Sequence, residues 1–243
     1  YSNNLNKILA DEIVLNFNIQ NIEESRHKQK FEDNFSTSRI EKLNIFDSKI
    51  SFHKNVKDWQ IDYGFSNRHE ILSSDAYNKD DFGNRTFATS RYPDGGTEVL
   101  NFSTFILSEY KVNDKLRWFN AVRGDYEKTE ARFSEISSVF PMGTHLALLA
   151  KNWNIAASSN LFYSVLDNNF FSFSIYNSFR NPNIDDIGKI FSKVDGVVVI
   201  PNPDLQSEKI VSSELIFQHL FKNNKIDIVL FNSFLTDAIA KRE

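Results

Sequence analysis

Four short turns rich in Asn, Asp and Lys recur along the chain at nearly equal spacing, and each joins two long alternating runs. They are Asn55-Val56-Lys57-Asp58, Val112-Asn113-Asp114-Lys115, Asp167-Asn168-Asn169 and Asn223-Asn224-Lys225. Centred on Val56, Asp114, Asn168 and Asn224, the steps are 58, 54 and 56 residues. Asn and Asp bond to their own backbone and tolerate left-handed conformations, so such clusters turn a chain tightly. Long polar loops lie between the turns. A tight turn alternating with a long loop, hairpin after hairpin, predicts an antiparallel up-and-down β-barrel with two unlike ends.

The runs between turns have period two, the mark of strands with two different faces, less cleanly over 154–166 and 170–180, where Ser and Asn interleave Phe, Tyr and Ile. Trp59, Ile61, Tyr63, Phe65, Asn67, His69 and Ile71 alternate with Gln60, Asp62, Gly64, Ser66, Arg68 and Glu70. Leu100, Phe102, Ile106, Tyr110 and Val112 oppose Asn101, Ser103, Glu109 and Lys111, with Phe105 and Leu107 as apolar exceptions on the polar face. Leu116, Trp118, Val122 and Tyr126 oppose Arg117, Arg123, Asp125 and Glu127; Val211, Leu215, Phe217 and Phe221 oppose Ser212, Glu214 and Gln218. About nine strands result, many roughly ten to sixteen residues long, against about 5–6 in soluble sheets. A membrane strand needs about 9–11 residues. Alternation alone also suits a soluble sandwich; length, hairpin periodicity and one-sided loops favour the membrane. Trp59, Trp118, Tyr110 and Phe221 lie near the short turns on the apolar faces, where an interfacial aromatic girdle belongs.

Composition agrees. Aromatics reach 14% with only 8 Gly and 5 Pro, which suits strands better than helices or disorder. A net charge of −4 without a basic stripe speaks against nucleic acid as a partner. Cysteine is absent, so no disulfide framework and no thiolate metal site is expected. The longest apolar runs, Leu146 to Ala150 and Val197 to Ile200, are too short for a membrane helix. The chain begins at Tyr1 and is expected to be a mature or internal piece.

No catalytic motif is present. The five His have no HExxH or His-x-His spacing, and neither GxSxG, GxGxxG nor a P-loop occurs. The long connections are expected at 23–40, 75–97, 133–153 and 181–207. Two loop segments are specific. One is Ser90-Arg91-Tyr92-Pro93-Asp94-Gly95-Gly96-Thr97. The other runs from Ser178-Phe179-Arg180-Asn181-Pro182-Asn183 through Asp185-Asp186-Ile187-Gly188-Lys189 to Pro201-Asn202-Pro203-Asp204-Leu205-Gln206-Ser207-Glu208.

In these segments the chain resembles the β-barrel domain of TonB-dependent outer-membrane receptors. That family often ends a strand in FRxPN, follows with a DDLGK-like loop, and enters the next strand through PNPDLKPE. Here Gln206 and Ser207 replace Lys and Pro. The resemblance covers essentially the whole chain. It implies an all-β transmembrane barrel segment with short periplasmic turns and long extracellular loops, residues 1–243 forming part of the barrel without plug domain or terminal strand. Family barrels of this kind have about 22 strands and a plugged lumen, so a chain with nine is expected not to transport on its own.

The resemblance further implies an outer membrane of a Gram-negative-type bacterium, no enzymatic step, no cofactor, and TonB-energised uptake of a siderophore-, haem-, cobalamin- or glycan-like nutrient. Implied partners are outer-membrane lipid, a plug domain of the same polypeptide, the TonB complex and a surface lipoprotein. A passive porin-like barrel and a soluble β-rich binding domain stay open as alternatives.

Candidate ligand-binding residues are Arg91, Tyr92, Asp94, Arg180, Asn183, Asp185, Asp186 and Lys189. Each has a plainer reading. Pro93 and Gly95-Gly96 make the first segment a turn former. Arg180 tied to a carboxylate, and Asn183 or Asp185 capping a short helix over Asp186 to Phe191, would make the second loop architecture. Arg68, Glu70, Glu109, Arg117, Arg123, Asp125, Glu127, Glu208 and Glu214 are expected to line a wet lumen.

Overall fold

The computed structural model describes residues 9–31, 33–133, 147–188, 202 and 204–240. Nine long strands run β1 (Glu12–Lys28), β2 (Phe35–Val56), β3 (Trp59–Asp80), β5 (Thr97–Lys111), β6 (Leu116–Arg132), β7 (Ala147–Leu166), β8 (Asn169–Arg180), β9 (Glu208–Leu220) and β10 (Lys225–Thr236), with a short β4 (Arg85–Phe87). Every neighbour in sequence is an antiparallel neighbour in space, and β4 flanks β3 off the main path. The sheet is an open meander: β1 and β10 form its edges and are exposed along their whole length. Among the described residues no helix is long and apolar enough to cross a membrane. Strands are the alternative way to cross.

The short turns close as their side chains dictate. Asn113 Oδ1 accepts from the backbone N–H of both Lys115 and Leu116 at 2.9 Å. Lys111 pairs with Asp114 at 2.6 Å across the same turn. Val56 and Trp59 pair directly, so Lys57 and Asp58 form a two-residue loop, with Lys57 held at φ 53°.

The long-loop end differs from expectation. β1 continues to Lys28 and β2 starts at Phe35, β3 continues to Asp80, and β7 starts at Ala147, so the connections are shorter than 23–40, 75–97 and 133–153. Pairing continues through polar residues such as Glu23 with Lys42 and Thr37 with Asn78. Ladder hydrogen bonds do not require an apolar face, so the strands outrun their hydrophobic pattern.

The two faces are as unlike as the alternation predicts. One row across eight strands reads Val56, Trp59, Tyr110, Trp118, Leu161, Phe173, Leu215 and Leu230. Trp59 stacks on Tyr110 at 4.5 Å, and the Trp118 indole N–H donates to Ser159 Oγ at 2.8 Å. A second aromatic group, Phe102, Tyr126 and Trp153, sits eight residues further along each strand, about 26 Å at about 3.3 Å per residue. On the other face the row through Lys49, Ser66, Ser103, Asp125 and Asn154 is wholly polar. This inner face also carries the folded loops.

One inner exception has a reason. Gly64 lies opposite Phe105, whose ring tip approaches the site a Cβ would fill, and Lys49 Nζ stands over the same ring at 4.7 Å from its centre. The aromatic covers a glycine gap in the sheet and shields it from the lumen.

The tightest packing lies at the loop end. Ala131, Phe133 and Leu148 form a buried cluster against which Ile184 packs. Ile187, Pro93 and Pro182 are fully buried beside it. The loops fold inward over the sheet.

Candidate ligand site beneath the loops

The two loop segments singled out in the sequence meet. Tyr92 donates its phenol to Asp185 Oδ2 at 3.1 Å, and Arg91 reaches Asp185 Oδ1 at 3.4 Å while lying over the Tyr92 ring at 4.9 Å. A Cβ on Gly188 would lie 2.7 Å from the Ile184 side-chain end, 3.3 Å from that of Leu148 and 3.5 Å from Pro93, so the second segment packs closely on the first and on the wall here, and a larger residue would push the Ile184 side chain aside. Burial, and next the Asp185 carboxylate, push the Tyr92 phenol up to about 12. The first segment is turned by Gly96 at φ 93°, and the backbone N–H of Gly95 and Arg132 bond reciprocally to Arg132 and Gly96 at 2.9 Å.

The second segment is organised around one helical turn, Ile184–Ile187. Asn183 is its N-cap: Asn183 Oδ1 accepts from Asp186 N at 3.1 Å and the Asp186 carboxylate accepts from Asn183 N at 3.0 Å. The helix therefore starts two residues earlier than the expected Asp186, and of the two candidate caps it is Asn183 that acts. Residues 189–191, and with them Lys189, lie outside the described residues. Arg180 bridges Glu208 at 2.6 Å and Asp186 at 2.7 Å. Strand β8, the helix and strand β9 are thus tied by one guanidinium.

A second tie lies deeper. Asn154 on the wall donates to Asn181 Oδ1 at 2.7 Å and to Ser207 Oγ at 3.0 Å, and Ser207 donates to Asn181 at 2.7 Å. Ser207 stands where the family's commonest form has Pro. A proline there has no hydroxyl and closes no such triangle.

Between the loop cluster and the inner face lies a cavity of about 650 Å³. Tyr92, Asn183 and Ile184 roof it; Glu41, Glu70, Thr97, Asn101, Asp125 and Glu127 are among its wall residues. Asn101 donates to Asp125 at 3.0 Å and to Glu127 at 3.3 Å, and Arg123 pairs with Asp125 at 2.8 Å. The wall residue Glu70 pairs with Arg68, and elsewhere on this face Glu109 pairs with Arg117 at 3.1 Å. Among the described residues no group of three or more His, Cys, Asp or Glu is placed to hold a metal ion. A part-enclosed chamber of this volume, in which Leu43, Leu72, Val99 and Phe179 lie among the polar groups, is of the size that holds a small molecule.

Of the eight candidates, then, Tyr92 and Asn183 line the cavity, while Arg91, Asp185, Arg180 and Asp186 do not line it and instead tie the loops to one another. Asp94 sits half-buried in the turn. The wall residue Glu41 was not singled out from the sequence, and Thr97 stood only as the end of the first loop segment, not as a ligand candidate. Register alone assembles them, and no local pattern marks a position that becomes neighbourly through three strands.

A family model for TonB-dependent receptor-like β-barrels matches residues 3–242. No curated protein matches the sequence. Among solved structures, the copper transporter OprC superposes with a TM-score of 0.73 at 9% identity, covering 92% of this chain and 36% of that one. The ferric yersiniabactin uptake receptor FyuA from Yersinia pestis gives 0.61 at 11% identity, over 94% of this chain and 34% of that one. The hemophore receptor HasR of Serratia marcescens, solved with HasA and heme, gives 0.60 at 11% identity, over 92% and 40%. At these identities the likeness is one of fold, and the chain spans little more than a third of the structures it matches.

Proposed function

Because the chain belongs to the TonB-dependent receptor-like β-barrel family, whose barrels are outer-membrane transporters of Gram-negative bacteria, we propose that it forms part of the wall and the ligand-facing loops of a nutrient importer. The observation that carries this is the union of an apolar outer face with a cavity of about 650 Å³ roofed by loops on the polar inner face. The candidate ligand contacts are Arg91, Tyr92, Asp94, Arg180, Asn183, Asp185, Asp186 and Lys189. Binding there needs no covalent step: charge-assisted hydrogen bonds and shape hold the ligand.

In this reading further strands complete the barrel, a plug domain of the same polypeptide fills the lumen, and the energised TonB complex acts on that plug. The ligand is a scarce nutrient of the siderophore, haem, cobalamin or glycan kind. The test is uptake by cells carrying the full-length receptor under limitation for each class. Uptake must vanish when the gene is deleted and also when the proton-motive force is collapsed. Uptake that survives collapse would instead mark a passive barrel. Within a working uptake assay, Arg91→Ala and Asp94→Ala are expected to weaken transport; unchanged transport would leave both as turn-forming residues.

A further inference from the structure

One row of the inner face breaks its polar pattern. Ile22 pairs with Leu43, Leu43 with Leu72, Leu72 with Thr97, Thr97 with Ala131 and Ala131 with Leu148. A nearly apolar line therefore crosses six strands at the level of the loops. Its two halves are covered differently. Ala131 and Leu148 lie buried with Phe133, and Ile184 packs on them. Ile22 stays 50% exposed, while Leu43 and Leu72 are half-buried. These three and the neighbouring Val99 line the cavity of about 650 Å³, and Tyr92, Pro182 and Ile184 line it from the loops. The uncovered half-row is thus one side of a part-enclosed space, not an open face.

The polar groups around it are already matched. Arg26 donates to Glu24, Arg68 to Glu70 and Arg123 to Asp125. Asn101 donates to Glu127 at 3.3 Å, and the Tyr92 hydroxyl is held by Asp185. The Glu41 oxygens and the Thr97 hydroxyl are buried out of reach of the cavity. A charged group entering here must displace one of these partners. An apolar group instead removes exposed Ile and Leu surface from water, which is favourable in proportion to the area covered. Ile22, Leu43 and Leu72 stand on three adjacent strands and so span about 10 Å, the reach of an aliphatic chain of about eight carbons.

We propose that this half-row is a subsite for an unbranched aliphatic chain, the apolar part of an amphiphilic small-molecule ligand, lying across β1, β2 and β3 beneath Tyr92 and Ile184. Asn101 and Asn183, which line the same cavity, take its uncharged polar head through their amides. The assignment rests on the ligand-binding reading of the loops and narrows it to cargo with an alkyl tail.

The test is calorimetric titration of hexanoylglycinamide and acetylglycinamide into the full-length receptor in lipid nanodiscs, with empty nanodiscs as the blank. The probes share an uncharged head and differ only in chain length. Each buried methylene strengthens binding about fourfold, so the hexanoyl probe is expected to bind on the order of a hundredfold tighter. Leu43→Asn and Ile22→Asn replace aliphatic surface by an amide and should each cut that ratio several-fold. Ile22 is on an exposed edge strand, so its variant supplies a second reading if Leu43→Asn is not recovered folded. Leu107→Asn, on the same face but outside the cavity, should leave the ratio as it is. Equal binding of the two probes, an unaltered ratio in either folded variant, or binding of neither probe (as when another part of the polypeptide fills the space) each overturns the subsite. The titration needs no energised membrane. Its failure therefore leaves the transport reading intact, and energy-independent uptake would sink transport while leaving the titration untouched.

Discussion

At the scale of single residues, close approaches decide what each position accepts. An alanine Cβ at Gly64 would lie 2.0 Å from the Ile50 carbonyl oxygen and 3.0 Å from the Phe105 ring, and backbone cannot step aside as a side-chain end can. At Gly124 the same Cβ would meet only a Thr104 methyl at 3.7 Å. Replacing a strand glycine otherwise stabilises by narrowing the unfolded ensemble. Gly64→Ala should therefore cost about 1–3 kcal/mol, as overpacking does, and Gly124→Ala should be neutral or mildly stabilising. Thermal unfolding of the two variants in detergent checks the contrast; equal melting points would refute it. Tyr92 offers a pH test. Its phenol is pushed up to about 12 by burial and by Asp185. A raised folded pKa means that the contact contributes fully below the unfolded value of about 10 and is lost as pH climbs from there toward about 12. Wild type should lose stability across that window more steeply than Tyr92→Phe, and parallel pH profiles would contradict the burial of this phenol.

At the scale of elements, the loop that carries the family motif is fastened at two depths. Arg180 spans Asp186 and Glu208 near solvent, where ion pairs contribute little. The triangle of Asn154, Asn181 and Ser207 lies deeper, and losing one member leaves a buried amide unsatisfied. Ser207→Ala or Asn181→Ala should cost about 1–3 kcal/mol, more than Arg180→Ala, as read by chemical unfolding; the reverse order would place the anchor at the surface. The turns and strand faces were legible from the sequence because their causes are local. Asn113 folds its own turn, and an apolar residue every second position needs no partner to declare a face. The strand ends were not legible, because β1, β2 and β3 continue as polar pairs once the outer face no longer needs to be apolar. The two loop segments were legible through resemblance, but their meeting at Tyr92 and Asp185 was not. Nor were Glu41 and Thr97, since a cavity made by register across β2, β3 and β5 leaves no signature in any one strand.

At the scale of the whole molecule, one pair of neighbours separates a membrane wall from a soluble sheet. Ile106 and Leu107 are adjacent on β5 and similarly exposed, at 49% and 43%. Ile106 lies in the outer row with Tyr63 and Val122, whereas Leu107 faces inward between Asp62 and Ala121. If lipid covers the outer face, a charge at Ile106 enters hydrocarbon while a charge at Leu107 enters a wet lumen. Arginine near the middle of the lipid-facing band costs about 2–4 kcal/mol, and a lumen position tolerates it. Ile106→Arg in the full-length protein should thus reduce the heat-resistant, membrane-assembled form, while Leu107→Arg assembles nearly as the parent does. In a soluble sandwich the order inverts or vanishes. The apolar face would then pack a core, the polar face would meet water, and neither variant would change partition into a membrane fraction that the parent never enters. Outer-membrane fractionation with heat-modifiability of the two variants reads the difference directly. Because the residues are consecutive, strand propensity, distance from the turn and local stability are nearly shared, and only the side of the sheet is left to explain the result.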